Sequence, residues 1–444
     1  MSSQLQVVVG LGKTGLSLVR FLTRQGYAVA AMDTRAFPPE RKTLEQEFPD
    51  LLVRYGGLDE EILNQAHTLY MSPGIAISTP EIQVALENGA ILSGDVDVFL
   101  QHAKAPVIAI TGSNAKSTVT TLVGDMMRNA GLFAAVGGNI GTPVLELLDD
   151  RVECYVLELS SFQLETTSHL LAAAAVCLNI SPDHMDRYKD LAHYTDVKLS
   201  IYNNASVAVL NRDDKAAQPE NFAGTAITFG LEAPEEEQLG LIEKDGLTYL
   251  ACGSTALLPV TALKIRGRHN YSNALAALAL GQAFGLPMKT MLTTVQAFPG
   301  LEHRCQWIAD KAGAHWYNDS KATNVGATLA AVQGLASDTT KLVLIAGGDG
   351  KGAEFDELRP AVAAHCRAVI LLGQDADRLE ATLKGLNVAI LRVNTLQEAV
   401  ALAAEVAQEG DSVLLAPACA SLDMFSSFEE RGRVFVQAVE ELAC

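Results

Sequence analysis

Short apolar runs alternate with helical patterns along most of the chain. Leu5–Val9 is apolar apart from Gln6 and reads as a buried strand, 16–24 repeats apolar positions at helical spacing, and Ala28–Met32 reads as a second strand. Strand-like Thr68–Tyr70 leads into a Ser72–Gly74 turn, and periodic helices and short strands continue to about residue 93. A new block opens after GDVDVFL (94–100) with KAPVIAITGSNAKST, whose apolar part Val107–Ile110 is a strand. CYVLEL (154–159) and AAVCLNI (174–180) follow, and a helix begins near residue 270. AFPGLEHR (297–304) reads as a hinge. Beyond it, GAHWYND, KLVLIAGGDG, AVILLG and SVLLAPACASLD are strand-to-loop segments separated by helical stretches. The alternation predicts an α/β chain with mainly parallel sheets and sites at the carboxyl ends of the strands. Three blocks, 1–93, 94–299 and 300–444, are the expected domains.

Composition narrows the function classes. The 444 residues carry 49% hydrophobic and 19% charged side chains, ordinary for a globular enzyme, and a formal net charge of -19. No basic stripe offsets that charge, so nucleic acid is not an expected partner. An anionic substrate would need positive charge gathered locally, which makes lysines and arginines beside glycines and hydroxyls informative. The seven cysteines lack C-x-x-C spacing, so neither a zinc site nor a redox pair is indicated. The first residues have no basic, apolar leader pattern, and the run Leu170–Leu178 is far too short to span a bilayer. A cytoplasmic enzyme with no membrane partner, monomeric rather than oligomeric, is the expectation. The acidic stretch LEAPEEEQ (231–238) reads as a solvated loop.

Two glycine-bearing turns carry candidate chemistry. G-L-G-K-T-G, Gly10 to Gly15, joins a strand to a helix, and Asp33 closes the next strand. This approaches the dinucleotide fingerprint, in which backbone amides meet a diphosphate at a helix N-terminus; it also reads as a tight turn with no ligand. The second turn, ITGSNAKSTVTTL (110–122), lacks the first glycine of a G-x-x-x-x-G-K-[ST] loop and has Ala115 where the second belongs. Its remaining Gly112, Lys116, Ser117 and Thr118 would still let amides and a lysine hold phosphates, with Ser117 or Thr118 available to Mg²⁺. Ala115 fits only if its φ is negative or modestly strained, because its Cβ penalises a left-handed backbone. Glu158 ends the strand after that loop, where a carboxylate reaches Mg²⁺ in P-loop enzymes. His184, between Asp183 and Asp186, is a metal ligand or a turn cap. Lys198, on a helix, reads by itself as a surface lysine.

Together these stretches resemble the Mur ligases. TGSNAKST, LELSSFQLE, DHMDRY, HNYSNALAA, NDSKATN, GGDGK and APACASLDMF occur in that order, and the likeness covers nearly the whole chain. NDSKATN and PACASLD point to the D-glutamate-adding member. The family's loop is T-G-T-N-G-K-[ST], a separate template from the P-loop, and Ala115 departs from it.

The resemblance implies a Rossmann-like N-terminal domain, a central P-loop-type ATPase domain and a Rossmann-like C-terminal domain. It implies ATP-dependent joining of D-glutamate to UDP-N-acetylmuramoyl-L-alanine through an acyl phosphate, in peptidoglycan precursor synthesis. By resemblance, Thr14, Asp33, Thr34, Arg35, Gly74 and Asn139 would bind the UDP-sugar. Lys13 stands where an apolar residue is expected and would touch the diphosphate or point to solvent. Gly112, Ser113, Asn114, Ala115, Lys116, Ser117, Thr118, Asn270, Asn273, Arg304 and Asp319 would bind ATP. Lys321, Thr323, Lys351, Ser421, Leu422 and Phe428 would frame D-glutamate. Two Mg²⁺ ions are implied, one on Ser117 and Glu158, the other on His184 and a carbamate formed on Lys198. Lys116, His184, Lys198 and Arg304 are the implied catalytic set. Three readings rival this one: a nicotinamide oxidoreductase, argued from Gly10–Gly15 and Asp33 alone; an ATP-driven switch without a small-molecule acceptor; and a sister ligase adding L-alanine, a diamino acid or folate glutamates, against which PACASLD weighs only by resemblance.

Overall fold

The computed structural model describes residues 4–336 and 339–442; Cys444 and the first three residues lie outside them. Three sheets form in chain order. The first contains β1 (Leu5–Val9), β2 (Ala28–Asp33), β3 (Leu52–Tyr55), β4 (Ala66–Met71) and β5 (Ile91–Ser93), ordered β3-β2-β1-β4-β5. All its pairings are parallel. Val7, Val8 and Val9 of β1 are fully buried, as the central strand of such a sheet requires. The strand order reverses beside β1, and the crevice at such a switch point is where ligands bind in open α/β sheets.

The second sheet has nine strands: β6 (Val107–Thr111), β7 (Ala134–Gly138), β8 (Cys154–Glu158), β9 (Ala174–Cys177), β10 (Val207–Asn211), β11 (Thr225–Phe229), β12 (Leu239–Lys244), β13 (Leu247–Cys252) and β14 (Thr255–Pro259). Their order is β14-β13-β12-β11-β10-β9-β6-β8-β7. β6 lies between β8 and β9, with Ile110 opposite Glu158 and Thr111 opposite Cys177. This register gathers three strand-end loops. The last three strands pair antiparallel, so the sheet is mixed at that edge. Helix Lys116–Asn129 and helix Arg268–Ala283 pack over it, and the second buries an almost continuous run from Asn273 to Gly281. Residues 231–238 form no helix or strand and are mostly exposed, as expected of a solvated loop.

The third sheet contains β15 (Gln306–Lys311), β16 (Ala314–Asn318), β17 (Leu342–Ala346), β18 (Cys366–Leu371), β19 (Ala389–Arg392) and β20 (Ser412–Leu415), ordered β15-β16-β20-β17-β18-β19. Only the β15–β16 pair is antiparallel. Its core sits on both faces, around Phe355 and Leu379 on one side and Trp316 and Phe435 on the other. No described helix is long and apolar enough to cross a membrane. All six described cysteines are free thiols.

Candidate active site

The first glycine turn is closed around its own acid. Asp33 is fully buried at the end of β2. One of its oxygens accepts from the Leu11 N–H at 2.6 Å and from Arg35 Nη2 at 2.7 Å; the other accepts from the Arg35 N–H and Nε. Burial raises the carboxyl's affinity for a proton, but the Arg35 and amide hydrogen bonds outweigh it, and Asp33 titrates below its ordinary value. Gly15 is obligatory here, because a Cβ on it would lie 1.9 Å from the Gly10 carbonyl oxygen. Thr14 lies half-buried on the first helical turn, and Lys13 beside it is exposed. The Ser72–Gly74 turn is fixed against this loop by the Ser72 N–H donating to Val9 O.

The second turn leaves its polar groups differently completed. Gly112 adopts φ 145°, and a Cβ there would press on Leu178. Ala115 sits at φ 67°, ψ −4°. The strained alternative therefore holds, at a cost of roughly 1 kcal/mol for an L-residue. A strap after β9 fixes the loop. Asn179 accepts from the Ser113 N–H through its backbone and from the Asn114 N–H through its side chain, at 2.9 and 2.8 Å. Ser113 Oγ donates to Ser181 O at 2.9 Å and lies 3.0 Å from the Tyr194 hydroxyl. Asn179, Ser181 and Tyr194 escaped the sequence reading, since the β6–β9 pairing brings the first two to the loop and helix Leu191–Leu199 brings Tyr194.

Cations converge on this turn. Lys116 Nζ donates to the carbonyls of Gly112 and Ser113 at 2.8 and 3.0 Å. Lys198 is 1% exposed, which overturns its reading as a surface lysine. Helix Leu191–Leu199 directs it inward, where Nζ donates to Gly112 O at 2.9 Å and to Thr111 Oγ1 at 3.3 Å. Burial, reinforced by Lys116, lowers its ammonium to about 7. Lys321 is lowered to about 8 by burial and then by Arg304 and Lys116. Burial also lowers Lys116 itself. Arg304, the last residue of the AFPGLEHR hinge, reaches in, and its Nη2 donates to Ser117 Oγ at 2.7 Å. Asn324, from NDSKATN, bonds both Asn114 and Asp183.

The acid facing these cations is Glu158, which is 2% exposed. Its Oε1 accepts from Asn139 Nδ2 at 2.6 Å, and its Oε2 is buried without a partner. An orphaned carboxylate oxygen beside the Ser117 loop suits a hard cation. His184 has φ 56°, stacks edge-on against Phe162 at 4.8 Å, and is kept below its ordinary titration range by burial against the opposing pull of Asp183. A neutral imidazole is the ligating form. Among the described residues no three His, Cys, Asp or Glu side chains gather as a metal cage. Mg²⁺ needs none, since it is commonly held by one or two protein oxygens, phosphates and water.

A cleft beside the loop is lined by Asn114, Thr118, Asn270, Asn273, Arg304 and Asp319, among others. The two asparagines bond each other, Asn273 Nδ2 to Asn270 Oδ1 at 3.1 Å. Burial raises the Asp319 carboxyl to about 7. The remaining candidates lie on strand-end loops of the third sheet. Lys321 Nζ lies 3.9 Å from the centroid of the Phe428 ring, and Thr323 follows in the same loop. Ser421 is buried, Leu422 and Lys351 are exposed, and the backbone pairing of Asp349 with Ala420 sets the last two loops side by side. Arg431, also missed from sequence, is 3% exposed and binds Ser320 and the Cys419 carbonyl, tying two of these loops together. The signal for it was a charged residue in an inward position of helix Phe428–Glu440.

Known proteins match the chain along nearly its whole length. Residues 4–94 match the profile described as Mur ligase MurD-like, N-terminal domain; 110–281 match the Mur ligase middle domain; 303–419 match the Mur ligase, glutamate ligase domain. The UDP-N-acetylmuramoylalanine–D-glutamate ligase of Pseudomonas putida is 57% identical over 444 residues, covering 100% of this chain and 98% of that one. The enzyme of that name from Pseudomonas aeruginosa is 57% identical over 445 residues, covering 100% and 99%. The crystal structure of UDP-N-acetylmuramate-alanine ligase from Thermotoga maritima superposes with a TM-score of 0.61 at 18% identity, covering 98% of this chain and 99% of that one, and so shares its fold.

Proposed function

The chain belongs to the Mur ligase family, and we propose that it joins D-glutamate to UDP-N-acetylmuramoyl-L-alanine at the expense of ATP, in cytoplasmic peptidoglycan precursor synthesis. The observation that carries this reading is the convergence of Lys116, Lys198, Lys321 and Arg304 on one strand-end loop of a chain with net charge -19. Lys116, Lys198 and Lys321 are each lowered by burial, and Lys198 and Lys321 also by their cationic neighbours; a polyanion in that place reverses the penalty. The names of the relatives supply the acceptor and the amino acid. We take 1–93, 94–299 and 300–444 as the units for UDP-sugar, ATP and D-glutamate.

A carboxylate does not react with an amine at neutral pH, because oxide would have to leave. Transfer of the γ-phosphoryl group of ATP to the alanyl carboxylate gives an acyl phosphate and ADP. The D-glutamate nitrogen then attacks the acyl carbon, and phosphate leaves. The residues align the reactants and neutralise crowded charge. Lys116 and Arg304 would hold the transferring phosphoryl oxygens, Asn270 and Asn273 the purine, and Asp319 the ribose. Asp33, Thr34, Arg35, Thr14, Gly74 and Asn139 would hold the UDP-sugar; Lys321, Thr323, Lys351, Ser421, Leu422 and Phe428 would frame D-glutamate. Mg²⁺ would be held by Ser117 and Glu158, and supplies charge neutralisation at the phosphates. We assign a second ion to His184 and to a carbamate on Lys198. A lysine amine has no acceptor for a cation, whereas its carbamate presents anionic oxygen. Burial lowers the Lys198 ammonium to about 7, so a neutral amine, the form that adds CO₂, is accessible near neutral pH.

The test is phosphate release from MgATP and UDP-N-acetylmuramoyl-L-alanine with single amino acids. Release with D-glutamate and not with L-glutamate, L-alanine or a diamino acid is the expected result. Equal release without any amino acid would replace the ligase with an ATP-driven switch.

A further inference from the structure

Arg187 occupies a position that the assigned chemistry does not use. It follows His184 closely, and its backbone N–H donates to His184 O at 3.0 Å. Its side chain is 12% exposed and reaches in three directions. Nη1 donates to Pro73 O at 2.7 Å, Nη2 donates to Glu165 Oε2 at 2.5 Å, and the guanidinium lies 4.2 Å from the centroid of the Phe162 ring. Phe162 in turn is the ring against which His184 packs at 4.8 Å. At the far end, Pro73 belongs to the turn whose Ser72 is bonded to the end of β1, and a Cβ on Gly10 would come within 2.7 Å of Ser72. The first glycine loop, the Ser72–Gly74 turn, Arg187, Phe162 and His184 therefore form one continuous packed path between two sheets. The same two units also share an apolar seam, in which Leu11, Leu16 and Leu18 cluster with Phe99 and Tyr155 and the Phe21 ring meets His102 at 4.9 Å, but that seam lies away from His184; the exposed ion pair Arg20–Glu146 adds little.

We propose that Arg187 is a positioning residue that fixes the reach from the UDP-sugar unit to His184, so that the alanyl carboxylate arrives in line with the phosphoryl group. The inference rests on the ligase reading for its substrate. A planar guanidinium reaches two separated acceptors through different nitrogens while its face lies on a ring; a lysine carries its donors on one atom and cannot span both acceptors and cover the ring. A misplacement of about 1 Å at the reacting atoms is enough to cost up to about a hundredfold in rate.

The variants are Arg187→Lys and Phe162→Leu in the full chain. Expected for both are an unchanged dissociation constant for UDP, an unchanged KM for ATP, a kcat lowered about tenfold or more, and a shifted His184 imidazole resonance with no ligand present. The double variant should be no slower than the slower single, because both cut the same path. A merely structural role predicts a lower unfolding midpoint with kcat preserved. An Arg187→Lys kcat within twofold of the parent, an unmoved His184 resonance, or losses that multiply in the double variant would each overturn the proposal. If the parent protein releases no phosphate with D-glutamate, the ligase reading fails by itself, and the His184 resonance still decides the strut.

Discussion

The turns at 10–15 and 112–117 share one plan, a buried parallel strand, a glycine-bearing loop and a helix, yet they complete their polar groups in opposite ways. In the first, Asp33 spends both oxygens on Arg35 and on the Leu11 amide, and the turn is electrically closed before any ligand arrives. In the second, lysines outnumber acids, two ammonium groups donate to the same Gly112 carbonyl, and Glu158 keeps a buried oxygen without a partner. A closed turn offers backbone amides and shape, which suits binding. An unbalanced, partly buried cluster is costly by itself and is relieved by charge that develops during reaction, which suits catalysis. Similar topology thus says where a ligand sits, and the electrostatic remainder says what is done to it.

That division can be broken most severely at Lys116. Lys116→Ala should lower ADP formation by at least about a thousandfold, the upper range for one lost transition-state contact, while the dissociation constant for UDP stays within twofold by calorimetry. Near-normal ADP formation would remove the phosphate cradle from this loop. Next comes Lys198→Arg, which keeps the charge but cannot carry a carbamate. Turnover should fall at least about a hundredfold. A carbamate resonance seen with ¹³C-labelled bicarbonate in the parent should be absent from the variant. A fully active arginine variant would return Lys198 to a structural role.

Two changes at the turns' own backbones sharpen the contrast. Gly15→Ala sets a Cβ against the Gly10 carbonyl and should lower stability by about 1–3 kcal/mol, with weakened UDP binding and an unaltered KM for ATP. Ala115→Gly relieves a left-handed residue and should raise stability by about 0.5 kcal/mol in urea titration, since strain relief exceeds the added freedom of the unfolded chain only slightly. Destabilisation by that change would show that Ala115 makes a contact worth more than its strain.

Much of the fold was legible because strands of a covered parallel sheet read as unbroken apolar runs. β6 and β8 are of this kind up to their last residues, β1 is interrupted only by the buried Gln6, and the two glycine turns follow β1 and β6. The antiparallel edge from β12 to β14 was not legible, since it is half-exposed and carries no continuous run. The depth of Lys198 was hidden for a related reason. Its helix is short and buries only Tyr194 and Lys198, so no periodic stripe marks the inner face. Asn179, Ser181, Asn324 and Arg431 act on loops distant in sequence, and only strand pairing and the approach of the third sheet bring them there. The left-handed Ala115 was foreseen only as one of two alternatives, because nothing in the sequence fixes its φ.

The division of labour between the two turns is tested most directly by photolabelling the parent protein with azido-ATP and azido-UDP and mapping the modified peptides. Azido-ATP should label peptides containing residues 112–118 or 268–273, with protection by ATP and not by UDP. Azido-UDP should label residues between 10 and 75, with protection by UDP and not by ATP. Azido-ATP attached to the 10–35 segment, and displaced by UDP, would contradict the account.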